Sequence, residues 1–231
     1  MRKLVIGAAL ASTALASPAL ARDNQWYVEL DGGAMIVEDL DFDIGTASDE
    51  ASADMDKGFD FGGIVGYDFG SFRLEAEASY RQADADSVSV GTSGLQSGAT
   101  GLAQSGTFAA NGDASALSFM VNGLLDFGPD DGLQGFVGGG AGVARTDINL
   151  TVNSAGPDAL DDSDTGFAWQ VLAGVRAPLT DNWDVGLKYR FFNADDVQLV
   201  DSLGRDVETR FRSHSILGTL TYNFGGAEAP P

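Results

Sequence analysis

The residues best suited to chemistry in this chain are a lone histidine between serines, Ser213-His214-Ser215, and a spaced set of acids, Asp39, Asp41, Asp43 and Glu50. A serine and a histidine within hydrogen-bond reach form the nucleophile and base of acyl transfer. The stretch around this histidine, residues 213–224 (SHSILGTLTYNF), alternates apolar and polar side chains with a period of two, the mark of a strand. Adjacent strand residues point to opposite faces, so neither serine meets the imidazole unless a bulge intervenes, and no catalytic residue is expected. His214 itself falls on the apolar face, toward the outer rim. The four acids sit at positions 1, 3, 5 and 12 of a calcium-loop template, but position 6 is Ile44 where the template turns on glycine. No helix pattern flanks them, and the match reads as coincidence. With one His and no Cys, neither a metal site nor a cofactor is expected.

The elements that would carry these residues repeat along the chain. Besides 213–224, alternation recurs at 26–36, 59–69, 72–81, 117–127, 167–177 and 183–191. The cleanest case is 72–81, with Phe72, Leu74, Ala76, Ala78 and Tyr80 against Arg73, Glu75, Glu77, Ser79 and Arg81. An eighth segment, 133–144, carries five glycines that blur both faces and leave its parity open. Long connections of about 20–30 residues alternate with turns of a few residues, as in an outer-membrane meander with long external loops and short periplasmic turns. A soluble sandwich strand could alternate in the same way. What tips the balance is the start of the chain. Residues 1–21 read as a cleaved export signal: Arg2 and Lys3, a short apolar run, and the small-residue site Ala19-Leu20-Ala21. The expectation is an all-β protein, an eight-stranded antiparallel up-and-down transmembrane β-barrel over 22–225, followed by a short proline-containing tail at 226–231.

Charge narrows the partners. Without Arg2 and Lys3 the chain keeps 11 of its 13 basic residues against 34 acids, a net charge of −23, which excludes nucleic acid. Of this, −16 lies in the four long loops, where divalent cations could bridge to lipopolysaccharide phosphates. The loop at 83–112 is Gly/Ser/Thr-rich and nearly uncharged after Asp86, and is expected to be mobile.

The stretches WYVELDGG, FMVNGLLDF, FVGGGAGVAR, FAWQVLAGVR, WDVGLKYRFF and HSILGTLTYNF resemble the outer-membrane β-barrel domain of OmpA-like and opacity-type surface proteins of Gram-negative bacteria. The resemblance covers residues 24–224. It implies integration in the outer membrane with both termini periplasmic, and contact with lipid and lipopolysaccharide. It also implies that Gly218, Leu220, Tyr222 and Phe224 form the assembly signal read by the insertion machinery. Full-length OmpA-type proteins add a proline-rich linker and a peptidoglycan-binding domain. GGAEAPP at 225–231 looks like the first residues of such a linker, so a cell-wall anchoring role is not carried over.

Eight closed strands enclose a space just wide enough for side chains to fill. Strand parity places Glu29, Asp31, Asp60, Asp68, Glu75, Glu77, Asp126 and Asp184 inside with Arg73, Arg81, Arg176, Lys188 and Arg190. Buried charges must pair. Two outcomes differ in function: a packed polar core that only holds the strands, or a gate whose pairs exchange to admit small solutes or cations. The small inward residues Gly62, Gly66, Gly174 and Gly186 would leave space for the second. The expected function is a structural, surface-exposed barrel. Low-conductance porin-like passage is the alternative, and a lipid A-modifying enzyme a remote third reading.

Overall fold

The computed structural model describes residues 24–98, 101–129, 132–153 and 158–225, so the export signal, its Ala19/Ala21 site and the 226–231 tail lie outside the described residues. The alternating segments form strands and the strands close on themselves. Eight make the ring: β1 (Gln25–Val37), β4 (Lys57–Asp68), β5 (Phe72–Val90), β8 (Gly106–Phe127), β9 (Gln134–Val152), β10 (Leu160–Pro178), β11 (Trp183–Val200) and β12 (Asp206–Asn223). Each pairs antiparallel with the next in this order, and β1 also pairs β12 from Tyr27↔Asn223 to Val37↔Ser213, which closes the barrel. Four short strands, β2 (Leu40–Ile44), β3 (Ala47–Met55), β6 (Leu95–Ser97) and β7 (Gly101–Ala103), belong to the long connections.

One end of the barrel is tight. The β4–β5 turn needs Gly70 in the left-handed region at φ 98°, and Phe69 donates its N–H to the Phe72 carbonyl at 2.9 Å. Phe69 and Phe72 stack outside this turn with centroids 4.5 Å apart. Trp26/Tyr67 and Trp183/Tyr222 continue the same aromatic girdle.

The other end departs from the sequence reading. A membrane crossing needs a strand of about 9–11 residues. Strands β5, β9 and β10 have 19 residues each and β8 has 22, so most of what reads as long loop is strand. The stretch expected to be a mobile loop at 83–112 instead carries the outer parts of β5 and β8 together with β6 and β7 over its described residues. Its serines, threonines and alanines fit a strand as well as a linker. Where β1 and β4 stop, the β2–β3 hairpin continues the wall, pairing β12 at Val207↔Ile44 and β5 at Ala51↔Val90. The acids matched to the calcium template are therefore partly in a strand. Leu40, Phe42 and Ile44 point inward, and Asp41 and Asp43 take the opposite parity.

Two bulges permit the extension. The register shifts between Asp84 and Ser87 on β5 and between Ala194 and Val197 on β11. Inward residues are odd on β5 as far as Ala83 and even from Val88, while on β11 they pass from even to odd. An extra residue in one strand bends it and increases its twist. Beyond the β11 bulge, the backbone ladder to β10 gives way to side chains: Asp164 and Asp162 accept the N–H groups of Gln198 and Val200 at 3.0 and 2.9 Å.

Candidate functional site: the barrel interior

Parity decides what fills the barrel. On β1 the odd residues Tyr27, Glu29 and Asp31 are buried while Trp26, Val28 and Leu30 are exposed. Strand β9, whose parity its glycines conceal, turns its even residues inward: Gln134, Phe136, Ala144, Thr146 and Ile148 are buried. The structure places Glu29, Asp31, Asp60, Asp68, Glu75, Glu77, Arg73, Arg81, Arg176, Lys188, Arg190 and Asp184 in the interior, all buried, and the Asp126 carboxylate is enclosed there too.

These charges meet in three tiers. Nearest the tight turns, Arg73 grips Asp126 through Nε and Nη2 at 2.8 and 3.0 Å. Arg176 donates to Asp68 at 2.9 Å and lies 3.6 Å from Asp126, with Gln134 on its Nε. In the middle, Lys188 bonds Glu29 and, at 3.0 Å, Asp31. Tyr27 donates to Glu75 at 2.6 Å, and Thr221 to Glu29 at 2.8 Å. The third tier is centred on Arg190, which reaches Asp60, Asp31 and Glu77 at 2.8, 2.9 and 2.9 Å. Asn122 and Gln170 also donate to Glu77, at 2.8 and 2.9 Å, and Ser215 donates to Asp60 at 2.8 Å. Glu77 thus accepts from three other strands, besides Ser79 on its own. Planar guanidinium groups suit this role because their donors fan out in a fixed fork.

Arg81 caps the ionic stack. Its Nη2 donates to Ser79 and Ser118 at 2.7 and 3.2 Å, and Asp60 is 4.0 Å from Nε. Among the described residues its Nε and Nη1 find no hydrogen-bond partner, and the guanidinium lies over the Phe192 ring, 3.5 Å from the centroid. A cation over an aromatic face is attracted by the ring quadrupole. Arg81 is therefore the residue at which the ionic interior gives way to an apolar one.

Beyond it the interior is a continuous apolar core. Phe192, Phe211, Met35, Leu40, Phe42, Ile148, Leu150, Val88, Val197, Leu199 and Val207 belong to it, with alanines from β3, β5, β8 and β10. This second compartment is built on strands in segments that the sequence predicts to be long loops. The signal was present: Val88/Val90, Ile148/Leu150/Val152 and Val197/Leu199 each alternate with polar residues.

The glycines expected to leave space do not. A Cβ on Gly66 would strike the Tyr27 ring and one on Gly174 the Phe136 ring, while Gly62 and Gly186 lie against Asp31 and Thr219. These positions lack side chains because large neighbours from adjacent strands already occupy the volume, and that is a requirement of packing. The expectation of an opening at these four residues is corrected accordingly.

His214 is on the exterior, as its parity implies, and Ser213 and Ser215 point inside, fully buried. What the sequence hid is its company across strands. Nδ1 lies 2.8 Å from the Tyr189 hydroxyl and Nε2 3.0 Å from Glu38 Oε1. The residues with assembly-signal spacing share that outward face, with Leu220 and Phe224 exposed and Tyr222 packed against Trp183 and Phe224.

An exterior belt of Trp26, Leu30, Phe61, Val65, Phe119, Val121, Leu125, Val171, Leu187 and Ile216 around an ionic interior inverts the arrangement of a water-soluble protein. It defines a closed barrel whose wall faces lipid. In keeping with this, residues 7–224 match the family described as outer membrane protein beta-barrel domain, and the chain belongs to that family. It is an integral outer-membrane protein. Outer membrane protein PagN of Salmonella typhimurium is 25% identical over 117 residues, 46% of this chain and 49% of PagN, so the match spans about half the length of that relative. The crystal structure of Neisserial surface protein A superposes with a TM-score of 0.52 at 18% identity, covering 86% of this chain and 97% of that one. OprG from Pseudomonas aeruginosa gives 0.52 at 15% identity, covering 88% and 98%. At these identities the structures establish a shared fold.

Proposed function

We propose that this protein is a structural, non-enzymatic barrel that displays an acidic surface outside the cell and does not conduct. One observation carries the reading: the interior is blocked twice, by the paired tiers up to Arg81 and by the apolar core beyond it. An ion that passed the first block would leave water for a hydrocarbon-like zone, where its solvation is lost. The porin-like alternative requires space at Gly62, Gly66, Gly174 and Gly186, and neighbouring side chains fill it. For the enzymatic alternative, the histidine and the serines beside it are on opposite sides of the wall.

In this reading the tight turns and both chain ends face the periplasm, and the long β5 and β8–β12 extensions face outward. The partners are outer-membrane lipid and lipopolysaccharide, the insertion machinery acting on Gly218-x-Leu220-x-Tyr222-x-Phe224, and divalent cations over the acidic wall. Planar-bilayer recording tests the closed barrel. Wild type and Lys188→Ala should both stay near background conductance, with the variant losing only stability. Discrete cation-selective openings in wild type, enlarged by Lys188→Ala, would overturn the reading in favour of a gate. Assembly is tested separately: Tyr222→Ala with Phe224→Ala should lower membrane levels, and accumulation equal to wild type would remove the signal assignment.

A further inference from the structure

The connection between β5 and β8, described over 91–98 and 101–105, does not stay on its own side of the barrel. Its short strands β6 and β7 form a hairpin with Leu95 registered on Ala103 and Gln96 on Leu102. Leu95 and Ala103 are 5% and 3% exposed and belong to the apolar core of the outer half, whereas Leu102 on the other face is exposed. The hairpin meets the wall at a neck where Ser105 donates its N–H to the Gly91 carbonyl at 3.0 Å, next to the Val90↔Gly106 pair that ends the β5–β8 ladder. Glu50 on β3 fastens this neck: its carbonyl accepts from the Gly91 N–H at 2.6 Å and its carboxylate from the Ser93 N–H at 3.0 Å.

Away from the neck the hairpin is held from the far side. In the ring order β1, β4, β5, β8, β9, β10, β11, β12, the β5–β8 and β11–β12 connections are diametrically opposed. Arg205, in the β11–β12 turn, nevertheless donates through Nη1 and Nη2 to the carbonyls of Ser93 and Gly94, at 2.9 and 2.8 Å. The hairpin therefore lies across the end of the barrel. A neutral tie joins it to a third connection, where Ser97 pairs Val152 and accepts from Asn153 at 2.8 Å. Arg205 is oriented for its role by Asp201, a carboxylate 1% exposed that accepts from Nε at 2.7 Å and from the N–H groups of Leu203 and Arg205 at 3.0 and 2.9 Å. A guanidinium held along one edge presents its remaining donors in a fixed plane, and hydrogen bonds from an ionised donor are the stronger kind.

We propose that the β6–β7 hairpin is a hinged cover on the outer apolar core, latched by Arg205. Released, it turns about the Gly91/Ser105 neck and uncovers the core-facing side of Leu95 and Ala103. The neck suits a hinge: Ser105 has φ 52°, in the left-handed region, and Gly106 follows it. Hinges are loop or element-terminal residues that absorb backbone change. With three residues in each strand the hairpin has little ladder of its own, and segments of that kind open at low cost. The movement is separate from conduction, because the ionic tiers below Arg81 stay paired with the cover up or down.

The chain has no cysteine, so single introduced thiols report the opening. Ala103→Cys lies on the covered face, and Ala144→Cys is buried in the same core on β9. Each is made in the full chain, reconstituted in nanodiscs and labelled with a hydrophilic maleimide, with and without Arg205→Gln. With Arg205 in place both thiols should label slowly. Arg205→Gln should accelerate labelling of Ala103→Cys at least about tenfold, as expected for losing hydrogen bonds from a charged donor, and leave Ala144→Cys protected. Arg210→Gln, at an exposed position on β12, should change neither. Fast labelling of Ala103→Cys with Arg205 present would show that the hairpin does not lie closed. An unchanged rate in Arg205→Gln would show that the guanidinium is no latch, and equal acceleration at Ala144→Cys would show a general loosening of the outer half. Heat-modifiable migration verifies that each variant is folded. If Ala103→Cys is not, hydrogen exchange of the cysteine-free Arg205→Gln chain decides: 91–98 and 101–105 should exchange faster together, and acceleration of one without the other would remove the hinge.

Discussion

Below Arg81 the barrel is charged inside and apolar outside; beyond it the same strands are apolar inside and charged outside. On β5 the change is visible within one strand, from Arg73, Glu75, Glu77 and Arg81 inward to Ala83, Val88 and Val90 inward, with Asp84 and Asp86 outward. The difference follows the solvent on the outer face. Against lipid, the wall must be apolar, and the polar groups of the sequence can only pair with one another inside. Against water, the hydrophobic effect works in its ordinary direction and gathers the apolar residues into a core. One continuous sheet therefore obeys two folding rules, and Phe192 is where they meet. Its ring stacks under the Arg81 cation on one side and packs near Phe211 on the other.

If the lower half is held by ion pairing and the upper half by apolar packing, each should fail in its own way. The largest loss is expected for Arg190→Met, which leaves Asp31, Asp60 and Glu77 without their shared cation. Breaking a buried ionic cluster by removing one partner costs about 3–5 kcal/mol. The measurement is the midpoint of the heat-modifiable mobility shift, and a midpoint equal to wild type would mean that the tiers contribute nothing to holding the membrane half together. Arg81→Met should cost less, because Asp60 keeps Arg190 and Ser215.

Ile148→Ala comes next. Ile148 is 2% exposed in the apolar compartment on β9, and truncating such a side chain costs about 2–5 kcal/mol. The loss should appear as local opening of the outer half, with faster proteolysis there and an unchanged mobility shift, because stability is not uniform across a structure. Simultaneous loss of both would show that the two halves unfold as one unit.

The smallest effects concern two carboxylates outside the membrane span. Asp113 faces Asp84 directly across the β5–β8 pair. Partial burial, with the charges of Asp84 and Asp147 beside it, raises the Asp113 carboxyl above its ordinary range. Such a group destabilises the fold as it ionises, so stability falls as pH rises through the raised value. Asp113→Asn should therefore stabilise by a few tenths of a kcal/mol near neutral pH, with the gain vanishing in acid. Glu38 has the opposite sign: the hydrogen bond with His214, with Arg212 nearby, holds its carboxyl below the usual range. Its contribution is present near neutrality and is lost as pH falls through the lowered value. Urea unfolding of Asp113→Asn and Glu38→Gln across the acidic range checks both, and parallel pH profiles would show that neither contact matters.

Alternation along the chain is enough to place the eight strands, the closed fold they imply and the side of the wall on which most charges lie. A period of two needs no tertiary information: Glu29, Glu75, Lys188 and Arg190 lie on the polar face of their strands whatever those strands pair with. Three features depend on how the strands meet in space. The partners of each charge depend on register around the ring, and Glu77 meets Arg190, Asn122 and Gln170 from three other strands. The glycines read as open space are occupied, because the volume beside Gly66 and Gly174 belongs to Tyr27 and Phe136 on other strands. On β5 and β11 the apolar outer core is concealed from a simple alternation because a bulge changes parity in mid-strand. A pattern scanned residue by residue ends at such a shift, whereas the backbone absorbs the extra residue and continues.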